Sequence, residues 1–371
     1  MIFNIKYWLF FLSLFFAMAV FISFLINWLF LRFSFNLGVR NEKAVEQVRW
    51  ASNIKPSVGG FSFFIVFLIS IAFIGAMPRQ TEWLFDKHII GITIASTLGF
   101  LIGLADDTYN TNPLVKFIGQ LSCAFILIVC DIYIHITEVP ALDFAFTAFW
   151  VIGIMNSVNM LDNMDGITAS TSATIIIGFI VIIFSDGSIN QNFYLVMMIG
   201  VFGSLLGFLY FNWNPAKIYM GDTGSQFLGV FLAAGGIVYF WKFKQPTSEH
   251  FQIQQFVIPM LFFIVPIIDT STVTIRRLLR KQSPFVGGKD HITHHLAYLG
   301  ISDRNVAIIL IVTSLVSIGV ALPLLFDVFE WSIQTTLYYF GYFIVLFLFF
   351  QWLYNKGLKK KLERDAACSL K

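Results

Sequence analysis

Charge is scarce in this 371-residue chain: 12% of residues are charged, 57% are hydrophobic, and 44 are phenylalanine. A soluble domain of this size needs a polar surface that such a composition does not supply, so lipid must cover much of the exterior. Cysteine is nearly absent as well. The three present make no disulfide framework, because Cys123 and Cys130 share one apolar segment and Cys368 stands near the C-terminus. They read as small buried hydrophobes, and the ending CSLK fits a prenylation box poorly. No basic run is interleaved with aromatics, which together with a net charge of only +3 excludes a nucleic-acid surface. No small-residue cleavage site follows the first apolar stretch, and that stretch is too long for a signal-peptide core.

What the chain has instead is a series of apolar runs long enough to cross roughly 30 Å of hydrocarbon. They lie at about residues 8–31, 58–77, 88–105, 114–134, 144–158, 167–184, 193–211, 224–241, 256–273, 305–325 and 333–354. The expectation is an all-α, polytopic membrane helix bundle of about eleven transmembrane helices in a single domain, residues 1–371, ending in a basic tail at 355–371. An odd number of spans separates the termini, and the positive-inside rule orients them. Of the 24 Lys and Arg, only Lys6, Arg79, Lys87, Lys242 and Lys244 fall on one side, against 19 on the other. That split puts the N-terminus outside and the C-terminus in the cytoplasm. The KKKLER stretch reads as a solvated tail touching anionic lipid.

Sorting the acids onto this topology gives the main clue to function. Asp106, Asp107, Asp162, Asp165 and Asp222 all fall at span ends or in short loops on the cytoplasmic side, in three separate loops. Carboxylates converging from different helices repel one another unless something cationic neutralises them, so the set points to magnesium or manganese. In NSVNMLDNMDGI (156–167), Asn156, Asn159, Asp162 and Asp165 recur every third residue; read as a helix, they form one polar stripe. GLADDTYN (103–110) ends a span with adjacent carboxylates, and Lys116 downstream offers a phosphate-binding charge. YMGDTGSQFLG (219–229) opens the eighth span, where free amides and the helix dipole favour a phosphate and Asp222 can hold a metal. Tyr219 reads either as an interfacial anchor or as a platform for a base. Three of the six histidines, His291, His294 and His295, share one cytoplasmic loop. With no nearby cysteine and no HExxH, they suit phosphate or sugar contact better than zinc. Arg276 and Arg277 read first as positive-inside residues and second as a diphosphate clamp. Asp269, late in the ninth segment, reads as a satisfied group near the cytoplasmic edge.

Taken together, KPSVGGFSF (55–63), GLADD (103–107), NSVNMLDNMDG (156–166), YMGDTGS (219–225) and DTSTVTIRRLLRKQSPF with the His loop (269–295) resemble the polyprenyl-phosphate N-acetylhexosamine-1-phosphate transferases of bacterial envelope glycan synthesis. The resemblance implies transfer of a sugar 1-phosphate from a UDP-N-acetylhexosamine to a polyprenyl phosphate such as undecaprenyl phosphate, releasing UMP, with magnesium required. It implies that Asp106 and Asp107 match the family's aspartate pair and that Asp222 is a metal ligand, with Asp107 assisting. By the same resemblance Asn159, Asp162 and Asp165 line the nucleotide pocket, and Tyr219 lies against uracil. A homodimer follows by analogy only. The chain departs from the family pattern at HITHH, where Thr293 replaces a common middle histidine, and in the first cytoplasmic loop, where Arg49 and Lys55 are rough stand-ins for missing elements. No PLHHHFE-like run marks the muramoyl-pentapeptide branch, so an N-acetylglucosamine donor is favoured over that alternative.

In mechanism, Asp106 is expected to orient or deprotonate the lipid phosphate for direct attack, while a covalent phospho-aspartate route uses the same residues. The rival class is a transporter, either ion-coupled or a lipid-linked sugar flippase. Transporters place coupling carboxylates near the bilayer midplane, whereas these acids sit at span ends.

Overall fold

A computed structural model of the chain describes residues 5–33, 55–75, 86–137, 139–185, 193–241, 254–283, 288–325 and 332–369. Arg49 lies outside the described residues. Among those described, the regular structure is helical. The order is α1 (Ile5–Phe33), α2 (Gly59–Gly75), α3 (Lys87–Tyr109), α4 (Pro113–Val129), α5 (Pro140–Leu161), α6 (Ile167–Ser185) and α7 (Phe193–Asn212). It continues with α8 (Gly221–Tyr239), α9 (Gln254–Phe262), α10 (Ile264–Leu279), α11 (Ile292–Tyr298), α12 (Asp303–Leu325) and α13 (Ile333–Ser369). Seven of these are long and apolar enough to cross a bilayer, and α9 with α10 adds an eighth as a broken span. Each of the eleven expected segments coincides with one helix or with that broken pair, because backbone inside hydrocarbon must satisfy its own hydrogen bonds.

Two features depart from straight spans. The ninth segment is bent by 85° between Phe262 and Ile264. Pro266 sits in the first turn of α10, where its missing N–H costs nothing, but its ring would strike the carbonyl of Phe262 in a continuous helix. The last helix does not stop at 354 but carries the basic segment onward as helix to Ser369.

Helix α8 is the axis of the bundle. Sixteen of its 19 residues are buried, and it packs against α2, α3, α5 and α6. Small residues allow this. A Cβ placed on Gly103 of α3 would collide with the backbone carbonyl of Asp222, and one on Gly229 would lie 2.6 Å from the Met155 Cα. Close approach at Gly103 matters because the next turn of α3 carries Asp106 and Asp107. Gly103→Ala is therefore expected to lower the melting temperature and most of the activity, by an overpacking cost of about 1–3 kcal/mol. Gly153→Ala, where a Cβ meets nothing within 4 Å, provides the comparison: helix propensity alone should leave it neutral or stabilise it by up to about 1 kcal/mol. Equal melting temperatures for the two variants would contradict the packing argument.

The segment before α2 docks on the start of α8 through a single parallel bridge between Ser57 and Tyr219. Tyr219 N donates to Pro56 O at 2.9 Å, and the Gly59 and Gly60 amides donate to Tyr219 O and Met220 O, each at 3.0 Å. This pairing is why the KPSVGG stretch and the YMGDTG stretch, far apart in sequence, meet.

Candidate active site

Four helix ends meet at one end of the bundle: the C-terminal ends of α3 and α5 and the N-terminal ends of α4 and α8. The α3–α4 turn is tight, since Pro113 opens α4 and Asn112 caps it by accepting from Leu114 N at 2.9 Å. Asp106 holds this turn as well, with Oδ1 accepting from Thr111 N at 2.9 Å and Thr111 Oγ1 at 2.7 Å.

Lys116 is the hub of the site. Its ammonium donates to Asp106 Oδ2 at 2.7 Å and to Asn159 Oδ1 at 3.2 Å, and lies 3.8 Å from Asp222 Oδ1. The amide of Asn159 donates to Asp222 Oδ1 and, at 2.8 Å, to Ser225 Oγ. The Asp106 and Asp222 carboxyl groups are also within hydrogen-bonding reach of each other. Two carboxylates so close repel unless a proton or a cation lies between them. Here one ammonium serves two of them, in a setting where the Lys116 and Asp106 side chains are only 17% and 11% exposed.

The adjacent aspartates have separate tasks. Asp107 accepts from the Asp222 amide at 3.2 Å and from the Thr223 amide and hydroxyl at 2.9 and 2.7 Å. It caps the N-terminus of α8 from the neighbouring helix and so fixes the backbone that carries Asp222. Gly221, with φ of +74°, makes the turn into α8 directly beneath that carboxylate.

The polar stripe is not one helix. Asn156 and Asn159 lie on α5, but α5 ends at Leu161, Asp162 is its C-cap, and Asp165 stands in the turn before α6. Asp165 accepts from Asn214 Nδ2 at 3.0 Å and from the Ala216 amide at 2.9 Å, which fastens the α5–α6 turn to the segment after α7. The five acids therefore do not form one cage. Among the described residues no group of three or more His, Cys, Asp or Glu is placed to hold a metal ion, and the direct carboxyl pair is Asp106 with Asp222.

One turn further into the bundle, the same helices add amides that the motifs did not single out. Gln120 donates to Asn156 Oδ1 at 3.3 Å and to Gln226 Oε1 at 3.1 Å, and accepts from Asn156 at 2.9 Å. The signal was present in the sequence: Gln120 and Gln226 each fall four residues after a site residue, in otherwise apolar surroundings.

The histidine loop comes over the α5–α6 turn, where Thr293 Oγ1 donates to Asn163 Oδ1 at 2.7 Å. His291 Nδ1 pairs with Asp269 Oδ2 at 2.7 Å. His294 is buried, and burial first, then the neighbouring His291 and His295, pushes its pKa down to about 3. His295 is stacked on Tyr354 with ring centroids 3.6 Å apart, and burial followed by Lys361 and Arg276 brings it down to about 4. Both are thus neutral at pH 7 and offer no positive charge to a phosphate. The arginines are occupied by protein. Arg277, 4% exposed, makes a bidentate pair with Asp290 at 2.6 and 2.8 Å. Burial opposes the charge on Asp290, but that guanidinium holds its carboxyl below the usual range. Arg276 donates to Gln351 at 3.2 Å and Asn355 at 2.8 Å and lies 4.0 Å over the Tyr354 ring. They anchor α10 to the His loop and to α13 where a diphosphate clamp was the second expectation. Tyr219 is half-buried with the Lys55 ammonium 5.1 Å over its ring.

Comparison with known proteins finds a family and several relatives that the chain resembles. The model of the family described as Glycosyl transferase family 4 matches residues 89–240, the stretch from α3 through α8 that supplies Asp106, Lys116, Asn159 and Asp222. A probable undecaprenyl-phosphate N-acetylglucosaminyl 1-phosphate transferase of Bacillus subtilis is 30% identical over 298 residues, 78% of each chain. A decaprenyl-phosphate N-acetylglucosaminephosphotransferase of Mycobacterium leprae is 27% identical, covering 73% of this chain and 74% of that one. A phospho-N-acetylmuramoyl-pentapeptide-transferase of Listeria welshimeri is 27% identical over 68% of this chain and 78% of its own.

Proposed function

Since the chain belongs to glycosyl transferase family 4, we propose that it transfers N-acetylglucosamine 1-phosphate from its UDP-linked form to undecaprenyl phosphate, giving the lipid-diphosphate-sugar and UMP. The observation that carries this reading is the Asp106–Lys116–Asn159–Asp222 constellation, built at one end of a membrane bundle from four helix ends. A water-soluble nucleotide and a lipid phosphate both reach such a place. The 19 to 5 distribution of basic residues supports a cytoplasmic position for it in the plasma membrane.

Phosphoryl transfer is mostly positioning and charge neutralisation, and the residues serve those ends. An oxygen of the lipid phosphate forms a bond to the sugar-linked phosphorus, the diphosphate bond breaks, and UMP leaves with the electron pair. A phosphate monoester has its second pKa near 6, so at pH 7 most of the acceptor is already dianionic and needs no general base. Asp106, with both oxygens engaged by Thr111 and Lys116, is accordingly assigned to holding Lys116 in place, which favours direct attack over a phospho-aspartate. Lys116 balances the incoming phosphates, and Tyr219 with Lys55 beside it receives the uracil end. The hard oxygen donors of Asp106, Asp222 and Asn159 would hold a divalent cation. Magnesium, or manganese, bound there supplies Lewis-acid neutralisation of the diphosphate.

The test is reconstitution of the purified protein with polyprenyl phosphate and a panel of UDP-sugars. UMP release that needs UDP-N-acetylglucosamine, the lipid and a divalent cation together supports the assignment. Release only with the UDP-muramoyl-pentapeptide would move the chain to the branch of the Listeria relative.

A further inference from the structure

The Lys116 ammonium stands on a helix with little hold on the bundle. Helix α4 packs against α3 and α5, and of its 17 residues only Gln120, Cys123, Ala124 and Leu127 are buried. Its outer face, with Phe117, Leu121 and Phe125 exposed, meets lipid, which gives an apolar helix no hydrophobic reason to stay on its neighbours. The Lys116 bond to Asp106 closes the α3–α4 turn and is local. Its reach to Asn159 on α5 and Asp222 on α8 crosses to other helices and depends on where α4 lies. Gln120, one turn on along the same face, makes the same crossing: Nε2 donates to Asn156 Oδ1 on α5 at 3.3 Å and to Gln226 Oε1 on α8 at 3.1 Å.

One backbone group orients all three amides. The Ile152 carbonyl only accepts, so the Asn156 atom 2.9 Å from it is Nδ2, which also donates to Gln120 Oε1 at 2.9 Å. Gln120 then turns its own N–H groups to Asn156 and Gln226. Gln226, 0% exposed, is left with a buried Nε2 that has no partner among the described residues. An unmade buried donor costs stability, so the layer serves direction more than strength: hydrogen bonds between helices fix a register that apolar contacts leave open.

We propose that Gln120 is a positioning residue for Lys116: tied to Asn156 and Gln226, it holds α4 at the register and tilt in which one ammonium reaches Asn159 and Asp222 as well as Asp106. This goes beyond the transferase reading and uses it only for the kinetic test.

Gln120→Met keeps the length of the side chain and removes its bonds. It is expected to lower kcat about tenfold, part of the roughly 10²-fold that a misplacement of about 1 Å can cost. It also strands the amides of Asn156 and Gln226, so the melting temperature should fall. Adding Gln226→Met replaces both partners by apolar groups, which should restore the melting temperature while kcat stays low; recovery of the two together overturns the inference. In the Lys116→Met background there is no ammonium to place, so Gln120→Met should cause no further loss of kcat, and an additive loss there overturns the inference as well. Leu127→Ala, two turns deeper on α4, should lower the melting temperature and leave kcat unchanged. A kcat reduced as far as in Gln120→Met would trace the effect to general loosening of α4 and also overturns it. Calorimetry with manganese repeats the cycle without turnover. An ammonium displaced from Asp222 competes less with the cation, so affinity should rise several-fold in Gln120→Met and should not change when Gln120→Met is added to Lys116→Met. An affinity that Gln120→Met leaves unchanged overturns the inference. Failure of the unaltered protein to transfer from any UDP-sugar overturns the transferase reading alone, and the calorimetric cycle then decides this one.

Discussion

Asp222→Asn is expected to lower kcat/KM by about 10²- to 10³-fold, the scale seen when one preorganised charge-stabilising group is removed. The substitution keeps the shape, and the Asn159 amide can still donate to the remaining carbonyl oxygen. What disappears is the negative charge at the first turn of α8. That leaves Asp106, whose carboxylate is already paired with Lys116 at 2.7 Å, as the only acid of the direct pair. A divalent cation should then bind much more weakly, which calorimetry with manganese reads independently of turnover. The backbone at this point is fixed by Asp107 and not by Asp222 itself, so folding should survive and the melting temperature should stay close to that of the unaltered protein. Activity within threefold at saturating magnesium would show that the Asp106–Asp222 pair is not the centre of the chemistry.

Lys116→Met should do two things that separate in the presence of metal. Removing one partner of a largely buried pair leaves uncompensated charge and costs about 3–5 kcal/mol; at 17% and 11% exposure, screening relieves part of this. The melting temperature of the metal-free protein should therefore fall by several degrees. Asp106 and Asp222 are then free of their ammonium, and a divalent cation can take over neutralisation, so magnesium should stabilise the variant more than the unaltered protein, following the usual mass-action dependence. Turnover should remain depressed about 10²-fold even when stability is restored, because the cation does not supply the second positive charge that meets the phosphates. A melting temperature unaffected by the substitution, or a deficit that magnesium does not narrow, would contradict the hub role assigned to Lys116.

The helices were legible in the sequence because hydrocarbon leaves a chain few options: a span must be continuous, apolar and internally hydrogen-bonded, and that pattern is readable without coordinates. The acids at the span ends were legible for the same reason, since ionised groups avoid the middle of the bilayer. What each acid does was not. Asp106 and Asp107 are neighbours on α3, and residues adjacent on a helix point about 100° apart. One meets Lys116 of α4 and the other meets the amides of α8, and nothing in GLADD says which. The three-residue spacing of Asn156, Asn159, Asp162 and Asp165 suggested one face of one helix, yet the helix stops at Leu161 and Asp165 closes a turn against Asn214 and Ala216. Asp269 read only as a satisfied carboxyl near the cytoplasmic edge, because its partner His291 lies 22 residues away in a loop.

By itself, then, the sequence determined that this is a helical membrane protein with its acidic side chains gathered at span ends, because burial in lipid acts on every residue according to its own chemistry. Only the tertiary structure decided that Asp106 and Asp222 share one lysine, that Asp107 is a cap, and that Arg276 and Arg277 are anchors. Spacing along a helix sets the direction of a side chain, while its role depends on what a different helix brings within about 3 Å of it.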